Sequence, residues 1–292
     1  RKTYLRRLKE QSLIDQDMVD QYKAAMKKEE WETIKVQWAK LQEAVKKNFD
    51  EEVEMRVFAY NDKMEADTVM TPLDSIKYHH NFLQIGSIAI DPRTGHVKSW
   101  IGGINQKYFA FDHTSTNRQV GSTFKSFVYA KAIQELGISP CEPIDDLPRT
   151  IFPGEKNFQL LEPWTPANSS GEYTGERMTL KHALRKSVNT VSVQLMKRLG
   201  STKEVRDLAR ELGIDVDKQY PNGQLRVPDV PSICLGSCDL TVMEMAGAYS
   251  AFANNGSYNQ PIFIARIMDK TGREIFDSEI KHNQALEEDK NY

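Results

Sequence analysis

The first fifty residues carry apolar side chains at the three- and four-residue spacing of amphipathic helices. A first stripe consists of Leu13, Ile14, Met18, Val19 and Tyr22. A second stripe consists of Ile34, Trp38, Leu41, Val45 and Phe49. Pro and Gly are absent from this region, which favours helix. We predict N-terminal helices with a solvated charged face. Binding to a membrane or a partner is the alternative, which the alternation of basic and acidic residues disfavours.

In the next region, apolar and polar side chains alternate with a period of two residues. The stretch VEMRVFAY, residues 53–60, alternates apolar and polar side chains and predicts a strand. MTPLDSIKYHH, residues 70–80, places Pro72 near the start of a predicted helix. Adjacent residues on a helix point in different directions, so we interpret His79 and His80 as surface residues and not as a metal-binding pair.

The stretch FLQIGSIAIDPRTGHVKSWIGG, residues 82–103, predicts a β-hairpin. Its two apolar strands flank a turn in which Pro92 occupies the second position and Gly95 the position that needs a positive φ. Helical stretches follow, each with a glycine directly after it; these are 122–136, 180–199 and 203–212. Thr241 and Glu244 have the spacing of a helix capping box, and the tail from residue 261 returns to a strand pattern.

With 292 residues and a formal net charge of −2, the chain can hold one large or two small domains, and it has no strong field for nucleic acid. No apolar run reaches the ~20 residues that span a bilayer. The chain opens on charged, helix-favouring residues without a starting Met or a signal peptide. We therefore expect it to be cut from a longer protein.

The three cysteines, Cys141, Cys234 and Cys238, are too few for a disulfide scaffold. Cys234 and Cys238 lie in SICLGSCDLT, where further metal ligands at a suitable spacing are missing. We interpret these two cysteines as small residues of the core. A disulfide between them is the alternative if the compartment is oxidising.

Candidate chemistry begins at GSTFKSF, residues 121–127. Ser122 opens an apolar-periodic helix, and Lys125 lies three residues later on the same face. A serine hydroxyl becomes a strong nucleophile when a neutral lysine takes its proton. The lysine pKa must then fall from about 10.4 to about 7, a cost of ~4 kcal/mol that burial or a cationic neighbour can supply. The alternative for an isolated S-x-x-K pair is a capping serine and a solvent-facing lysine.

Motifs this short recur in the chain, so their context has to separate them. S-x-x-K occurs at Ser122/Lys125 and at Ser278/Lys281. S-x-N occurs at Ser115/Asn117, Ser187/Asn189 and Ser257/Asn259. We select Ser187 and Asn189 because they interrupt a helical region, where the hydroxyl could relay a proton and the amide could hold a substrate amide. Two successive helix caps are the alternative, and we interpret the other pairs as structural.

Four longer blocks carry a more specific signal. In chain order they are LQIGSIAIDPRTGHVKSWIGG, RQVGSTFKSFVYAKAIQELGISP, TLKHALRKSVNTVSVQLMKRLG and LGSCDLTVMEMAGAYSAFANNGSYNQP. From about residue 83 to about residue 276, the chain resembles the transpeptidase domain of class A penicillin-binding proteins. These proteins are bifunctional peptidoglycan glycosyltransferase–transpeptidases, and S-x-x-K and S-x-N belong to the motif set of such penicillin-reactive serine enzymes.

The resemblance implies a nucleophile at Ser122, a general base at Lys125, a proton-relaying hydroxyl at Ser187 and a substrate-orienting amide at Asn189. It implies that the D-Ala-D-Ala end of a peptidoglycan stem peptide acylates Ser122 and passes to an amine, and that β-lactam antibiotics acylate the same serine. No metal, nucleotide or other cofactor is required. Other cell-wall synthesis proteins are expected as partners and nucleic acid is not.

The fold that the resemblance implies is α+β and β-lactamase/transpeptidase-like, an antiparallel sheet with a helical subdomain. We expect residues 1–82 to be a helical linker region between a glycosyltransferase domain, absent here, and the transpeptidase domain. In this region MTPLDSIKYHH resembles Bacteroidota-type members. We expect residues 83–292 to form the N-terminal part of the transpeptidase domain with an incomplete sheet. The implied location is periplasmic or extracytoplasmic, with the parent protein anchored in the inner (cytoplasmic) membrane by an N-terminal helix.

Lys270-Thr271-Gly272 spells the third motif of the family, K-T-G, but we interpret it as a turn. Asp269 precedes it and Gly272 closes it, between two short strands. We expect the true third motif to follow Tyr292. These 292 residues should then react with penicillin slowly or not at all, because one oxyanion donor and the grip on the substrate carboxylate would be missing.

Two other functions are compatible with the same short motifs. A serine β-lactamase of the same superfamily would need a carboxylate for deacylation, and Glu162 with Asn168 resembles such a pair at a different spacing. A non-catalytic binding or scaffold module is the second alternative. The presence of all four candidate site residues argues against it.

Overall fold

A computed structural model describes residues 15–25 and 29–287 of the chain. Contacts within the chain divide it into two units, Arg1–Leu83 and Gln84–Tyr292. Leu13 and Ile14 of the first predicted stripe lie outside the described residues. Along the described ranges, no helix is both long enough and apolar enough to cross a membrane.

The first unit combines helices with one β-hairpin. Its described elements are α1 (Gln16–Ala25), α2 (Glu29–Asp50), β1 (Val53–Phe58), β2 (Glu65–Met70) and α3 (Pro72–His80). β1 and β2 pair antiparallel over their full length. Thr71 caps α3 by accepting a hydrogen bond from the Asp74 N–H, and Pro72 occupies the first turn. The predicted N-terminal helices, the predicted strand at residues 53–60 and the predicted helix that begins near Pro72 are therefore confirmed for the described part of this unit.

His79 has a structural role that its position in the sequence did not reveal. Its Nε2 accepts from the Phe58 N–H at 3.3 Å, and its Nδ1 lies 2.7 Å from the Ser75 carbonyl oxygen, to which it donates. The neighbouring Tyr78 hydroxyl donates to the Phe58 carbonyl oxygen at 2.8 Å. The interpretation of His79 as a plain surface residue is wrong, because its ring joins α3 to β1. His80 is exposed, as predicted.

The second unit alternates short strands with longer helices. Its described helices are α4 (Lys125–Leu136), α5 (Leu180–Lys186), α6 (Asn189–Leu199), α7 (Lys203–Glu211) and α8 (Val242–Ser250), with 3₁₀ turns at Gly121–Phe124 and Pro231–Leu235. Its described strands are β3 (Ser87–Ile90), β4 (Val97–Ile101), β5 (Arg118–Gln119), β6 (Pro143–Asp145), β7 (Arg177–Thr179), β8 (Asp239–Leu240), β9 (Ser257–Asn259), β10 (Arg266–Met268), β11 (Glu274–Asp277) and β12 (His282–Gln284). They pair antiparallel as β3–β4, β5–β8, β6–β7, β9–β12 and β10–β11. This arrangement is the predicted α+β mixture.

The core of the second unit lies where α4 packs against α6 and the Pro231–Leu235 turn. Its fully buried side chains include Phe124, Phe127, Leu195, Met196 and Ile233. Cys234 and Cys238 are buried in the same core as free thiols. Burial raises the pKa of Cys234 well above its usual range and that of Cys238 to about 12. The interpretation of both cysteines as core residues is confirmed, and they are not joined in a disulfide.

Several predicted local features of the second unit are confirmed. The stretch 82–103 forms the β3–β4 hairpin, and Gly95 in its turn has a φ of 74°. α4 ends at Gly137, which adopts the left-handed conformation with a φ of 60°. Thr241 and Glu244 form both hydrogen bonds of a capping box at the start of α8.

The predicted helical stretch 180–199 divides at Ser187. Ser187 adopts a left-handed conformation with a φ of 56°, and Val188 is extended, so α5 ends and α6 begins within two residues. Ser187 therefore lies at the end of one helix and Asn189 at the start of the next. Because of this break, the Ser187 carbonyl oxygen and the side chains of Ser187 and Asn189 are free to bind the amine of Lys125.

Lys270, Thr271 and Gly272 form the turn between β10 and β11, as predicted. The Asp269 carboxylate accepts from the Thr271 N–H at 2.8 Å, the Thr271 hydroxyl at 2.6 Å and the Arg273 N–H at 3.0 Å. Gly272 has a φ of 85°, and Lys270 is exposed. Because its side chains and backbone serve the turn, this stretch is not part of a strand.

Candidate active site

Ser122 lies in the 3₁₀ turn that leads directly into α4. The Lys125 N–H donates to the Ser122 carbonyl oxygen, so the turn continues into the helix without a break. In a 3₁₀ turn, side chains three residues apart lie above one another, which places Ser122 and Lys125 on one face. The Ser122 side chain is exposed, and its hydroxyl makes no hydrogen bond within the described residues.

Backbone contacts with residues 236–238 hold the segment that carries Ser122. The Gly121 N–H donates to the Gly236 carbonyl oxygen, and the Val120 N–H donates to the Cys238 carbonyl oxygen, both at 3.1 Å. Gly236 has a φ of 77°, and a Cβ at this position would overlap the carbonyl oxygen of Gly121. A glycine is therefore needed at residue 236 for its backbone conformation and for the close approach of the two segments.

Replacing Gly236 by Ala is expected to destabilise the second unit and to displace the turn that carries Ser122. The left-handed conformation costs an alanine ~1–2 kcal/mol, and the overlap with Gly121 adds ~1–3 kcal/mol. Gly137→Ala is the matched control, since Gly137 is also left-handed but a Cβ there meets no atom within 4 Å. Urea unfolding of both variants measures the difference. Equal losses would contradict a role for the close approach at residue 236.

Lys125 is the first residue of α4 and is only 1% exposed. Its Nζ donates to the Ser187 carbonyl oxygen at 2.6 Å, to Ser187 Oγ at 3.0 Å and to Asn189 Oδ1 at 2.6 Å. Burial lowers the pKa of Lys125 from 10.5 to about 8. The alternative of a solvent-facing lysine is therefore wrong.

The left-handed turn at Ser187 lets this residue offer two oxygen atoms to Lys125. Since α5 ends at Ser187, its carbonyl group is not used in the helix and accepts from the amine. Asn189, the first residue of α6, turns Oδ1 to Lys125, while its Nδ2 donates to the Ala167 carbonyl oxygen at 2.8 Å. The structure thus brings Lys125, Ser187 and Asn189 into one cluster, next to the turn that holds Ser122.

Two further residues hold the start of α6, and sequence reasoning missed their role. Asn168 Oδ1 accepts from the backbone N–H groups of Asn189 and Thr190, and Asn168 Nδ2 donates to the Asp146 carboxylate. The sequence singled out Asn168 only as a partner of Glu162 and did not single out Asp146 at all. Glu162 is exposed and makes no hydrogen bond within the described residues, so that pair is not assembled.

The other short motifs make structural contacts. Asn117 accepts from Arg226 Nη1 at 2.9 Å, and Asn259 Nδ2 donates to the Pro92 carbonyl oxygen at 2.8 Å. Ser278 follows β11, and its N–H takes part in the backbone pairing of the β10–β11 hairpin. Within the described ranges, no group of three or more His, Cys, Asp and Glu side chains could hold a metal ion.

Comparison with known proteins covers both units of the chain. Residues 85–290 match the family model for the penicillin binding protein transpeptidase domain, and residues 8–83 match that for the penicillin-binding protein middle domain. Penicillin-binding protein 2D of Bacillus subtilis is 35% identical over 211 residues, which make up 70% of this chain and 28% of that protein. The chain spans about a quarter of the length of the curated relatives it matches.

Solved structures agree with these sequence matches. The penicillin-binding protein PonA1 of Mycobacterium tuberculosis superposes with a TM-score of 0.58 at 27% identity, covering 74% of this chain and 55% of that one. PonA1 in complex with penicillin V also gives a TM-score of 0.58, at 23% identity, covering 86% of this chain and 63% of that one. The predicted β-lactamase/transpeptidase-like fold is thereby confirmed. The chain belongs to the penicillin-binding proteins, and residues 85–290 are a member of their transpeptidase domain family.

Proposed function

We propose that the second unit cross-links peptidoglycan as a D,D-transpeptidase, through an acyl-enzyme at Ser122. The observation that carries this proposal is the buried Lys125, three residues after Ser122, whose amine is held by Ser187 and Asn189. A lysine can act as a base near neutral pH only when its pKa is lowered, and burial lowers this one to about 8. Membership in the transpeptidase domain family and the penicillin V complex of PonA1 support the same chemistry.

The hydrogen bonds of Lys125 determine where its proton can go. As an ammonium group it has three protons, and three oxygen atoms accept them. The Ser187 carbonyl and Asn189 Oδ1 can only accept, so they keep two protons on the nitrogen when the amine is neutral. The Ser187 hydroxyl can reverse and donate. The proton that Lys125 gains and loses therefore moves between its Nζ and the Ser187 hydroxyl.

In the proposed reaction, the proton of the Ser122 hydroxyl passes through the Ser187 hydroxyl to neutral Lys125, while Ser122 Oγ attacks the carbonyl carbon of the penultimate D-Ala. The bond to the terminal D-Ala nitrogen then breaks, and that nitrogen receives the proton from Lys125 through the Ser187 hydroxyl. The acyl group stays on Ser122 as an ester until an amine of a neighbouring strand attacks its carbonyl carbon. The amide bond then forms, the ester bond breaks, and the proton that the amine loses returns to Ser122 Oγ through the Ser187 hydroxyl and Lys125. A β-lactam opens its own ring amide on Ser122, so no fragment departs.

Further assignments concern the natural protein as a whole. We propose that residues 1–82 are a helical linker region between a glycosyltransferase domain and the transpeptidase domain, and that 83–292 are the N-terminal part of the latter. The middle-domain match of residues 8–83 supports an inter-domain role for the first region. We place the protein on the extracytoplasmic side of the membrane, where its stem-peptide substrates lie, with β-lactams as inhibitors. Its relation to Bacteroidota-type members stays a prediction.

Mass spectrometry of the full-length natural protein after penicillin treatment tests the proposed function. We expect a stable mass increase equal to that of the whole drug, located on Ser122, because ring opening releases no atoms. Rapid conversion of the penicillin to its hydrolysed form would instead indicate a β-lactamase. If the protein forms no adduct and the penicillin is not hydrolysed, this result would contradict acyl transfer and would favour a binding module.

A further inference from the structure

The start of α6 is capped by a side chain from a distant part of the chain. The first N–H groups of a helix have no partner inside the helix. Val188, at the N-cap position, provides no side-chain hydrogen bond. Asn168 takes its place: its Oδ1 accepts from the Asn189 N–H at 2.9 Å and from the Thr190 N–H at 3.3 Å. Asn168 therefore fixes the backbone from which the Asn189 side chain projects.

Asp146, together with the Glu172 carbonyl oxygen, determines which end of the Asn168 amide faces α6, because both accept from Asn168 Nδ2. The Asp146 carboxylate is 1% exposed and accepts from Asn168 Nδ2 at 2.9 Å and from Thr190 Oγ1 at 2.6 Å. Its other oxygen accepts from the N–H and the hydroxyl of Thr174, at 3.0 and 2.9 Å, and from Asn168 Nδ2 at 3.1 Å. Burial raises the pKa of Asp146, but these hydrogen bonds more than offset that effect and hold the pKa at about 2. Because an ionised carboxylate only accepts, Asn168 must turn its NH₂ group to Asp146 and its oxygen to α6.

The same network sets the orientation of the Asn189 amide. With its backbone fixed by Asn168 and its Nδ2 bonded to the Ala167 carbonyl, Asn189 turns Oδ1 to Lys125. We propose that Asp146 and Asn168 are positioning residues, which hold Asn189 so that its oxygen and not its nitrogen faces Lys125. A flipped amide would oppose an NH₂ group to the ammonium group of Lys125. The catalytic consequence rests on the proposed function, whereas the geometric part does not.

Substituting Asp146 by Asn keeps the shape of the side chain and replaces one acceptor by a donor. If the new NH₂ group replaces the oxygen that faces Thr174, it opposes the Thr174 N–H and also the Asn168 NH₂ group, which lies 3.1 Å from that oxygen. If it faces Asn168, the Asn168 amide must turn around, and its own NH₂ group then opposes the N–H groups of Asn189 and Thr190. In both orientations the new NH₂ group faces the Asn168 NH₂ group, so the anchor that holds the Asn168 cap on α6 is lost.

Amide hydrogen exchange of the full-length protein, followed by NMR, tests the geometry without a substrate. Asp146→Asn is expected to speed exchange of the Asn189 and Thr190 N–H groups ~10-fold or more, while N–H groups bonded within α6 keep their rates. Thr174→Val is the matched control, since it removes the hydroxyl contacts with the far oxygen of Asp146 and with the Glu176 N–H and leaves the contacts of Asn168 in place. Unchanged exchange at Asn189 and Thr190 in Asp146→Asn would overturn the proposal.

Acylation by a chromogenic β-lactam tests the catalytic part. Asp146→Asn is expected to lower the limiting acylation rate ~10-fold or more and to leave the dissociation constant of the preceding non-covalent complex within about twofold. Thr174→Val should keep both values. If Asp146→Asn does not fold, Asn168→Ala is measured instead, with the same expectations for exchange and rate.

A limiting rate that stays at the wild-type level, or that falls only as far as the folded fraction falls, would overturn the positioning role. A wild-type protein that is not acylated at all would contradict the proposed function instead. In that event the exchange rates of Asn189 and Thr190 still decide whether Asp146 and Asn168 fix the start of α6.

Discussion

Ser122→Ala is expected to abolish covalent labelling of the full-length natural protein by a fluorescent penicillin. The loss in rate should be at least ~1000-fold, because the variant lacks the only atom that can form the ester. Ser122 is exposed, and its hydroxyl makes no hydrogen bond within the described residues, so its removal should not disturb the fold. Gel fluorescence after a fixed labelling time, with thermal unfolding of the same sample, measures both effects.

Ser278→Ala provides the matched control for this experiment. Ser278 and Lys281 form the second S-x-x-K pair of the chain, but Ser278 belongs to the β10–β11 hairpin. Labelling of Ser278→Ala should equal that of the unchanged protein. Labelling that survives in Ser122→Ala and disappears in Ser278→Ala would transfer the nucleophile to the second pair and refute the proposed site.

Lys125→Met is expected to lower the limiting acylation rate by ~10²–10⁴-fold, the range typical for loss of a general base. Methionine keeps most of the buried chain of lysine and lacks the amine.

The unchanged protein should also lose activity as the pH falls, because a lysine with a pKa of about 8 is increasingly protonated below that pH and can no longer accept a proton. Below pH 8 the rate should fall ~10-fold per pH unit.

The pH profile separates Lys125 from other titrating groups. Its buried neighbour Cys234 has a pKa raised well above the usual range, so this thiol stays protonated across the window. Residual acylation by Lys125→Met should therefore show no step near pH 8. Stopped-flow rates from pH 6 to pH 10 check this expectation. A Lys125→Met variant with the full rate, or one that retains the step, would exclude Lys125 as the base.

The local features that could be predicted from sequence depend on residues close together in the chain. The turn at Gly95, the capping box of Thr241 and Glu244, and the turn at Lys270–Gly272 each follow from the conformational preferences or side-chain hydrogen bonds of a few neighbouring residues. The passage of the turn at Ser122 into α4 at Lys125 is equally local. For this reason, the elements around the site were predictable without any structure.

The features that escaped prediction depend on contacts between distant residues. Asp146 reaches Thr190 across 44 positions, and no local pattern marks a buried carboxylate that orients an amide. His79 bonds to Phe58 across 21 positions, which overrides its place on the polar side of a short helix. The break in the helical region at Ser187 was predicted and is confirmed, but the left-handed backbone of Ser187 was not, since a left-handed serine is uncommon.

Point mutations can remove two of the three oxygen atoms around Lys125, but not the third. The Ser187 carbonyl belongs to the main chain, so it persists in every descendant that keeps the left-handed turn. Glycine and asparagine adopt that conformation readily, and either would delete the hydroxyl while the lysine stays anchored. A related protein in which glycine or asparagine replaces Ser187 would therefore lose the relay hydroxyl but keep Lys125 in the same place. Only the identity of residue 187 would reveal the loss of the hydroxyl, because the backbone and the position of Lys125 would be unchanged.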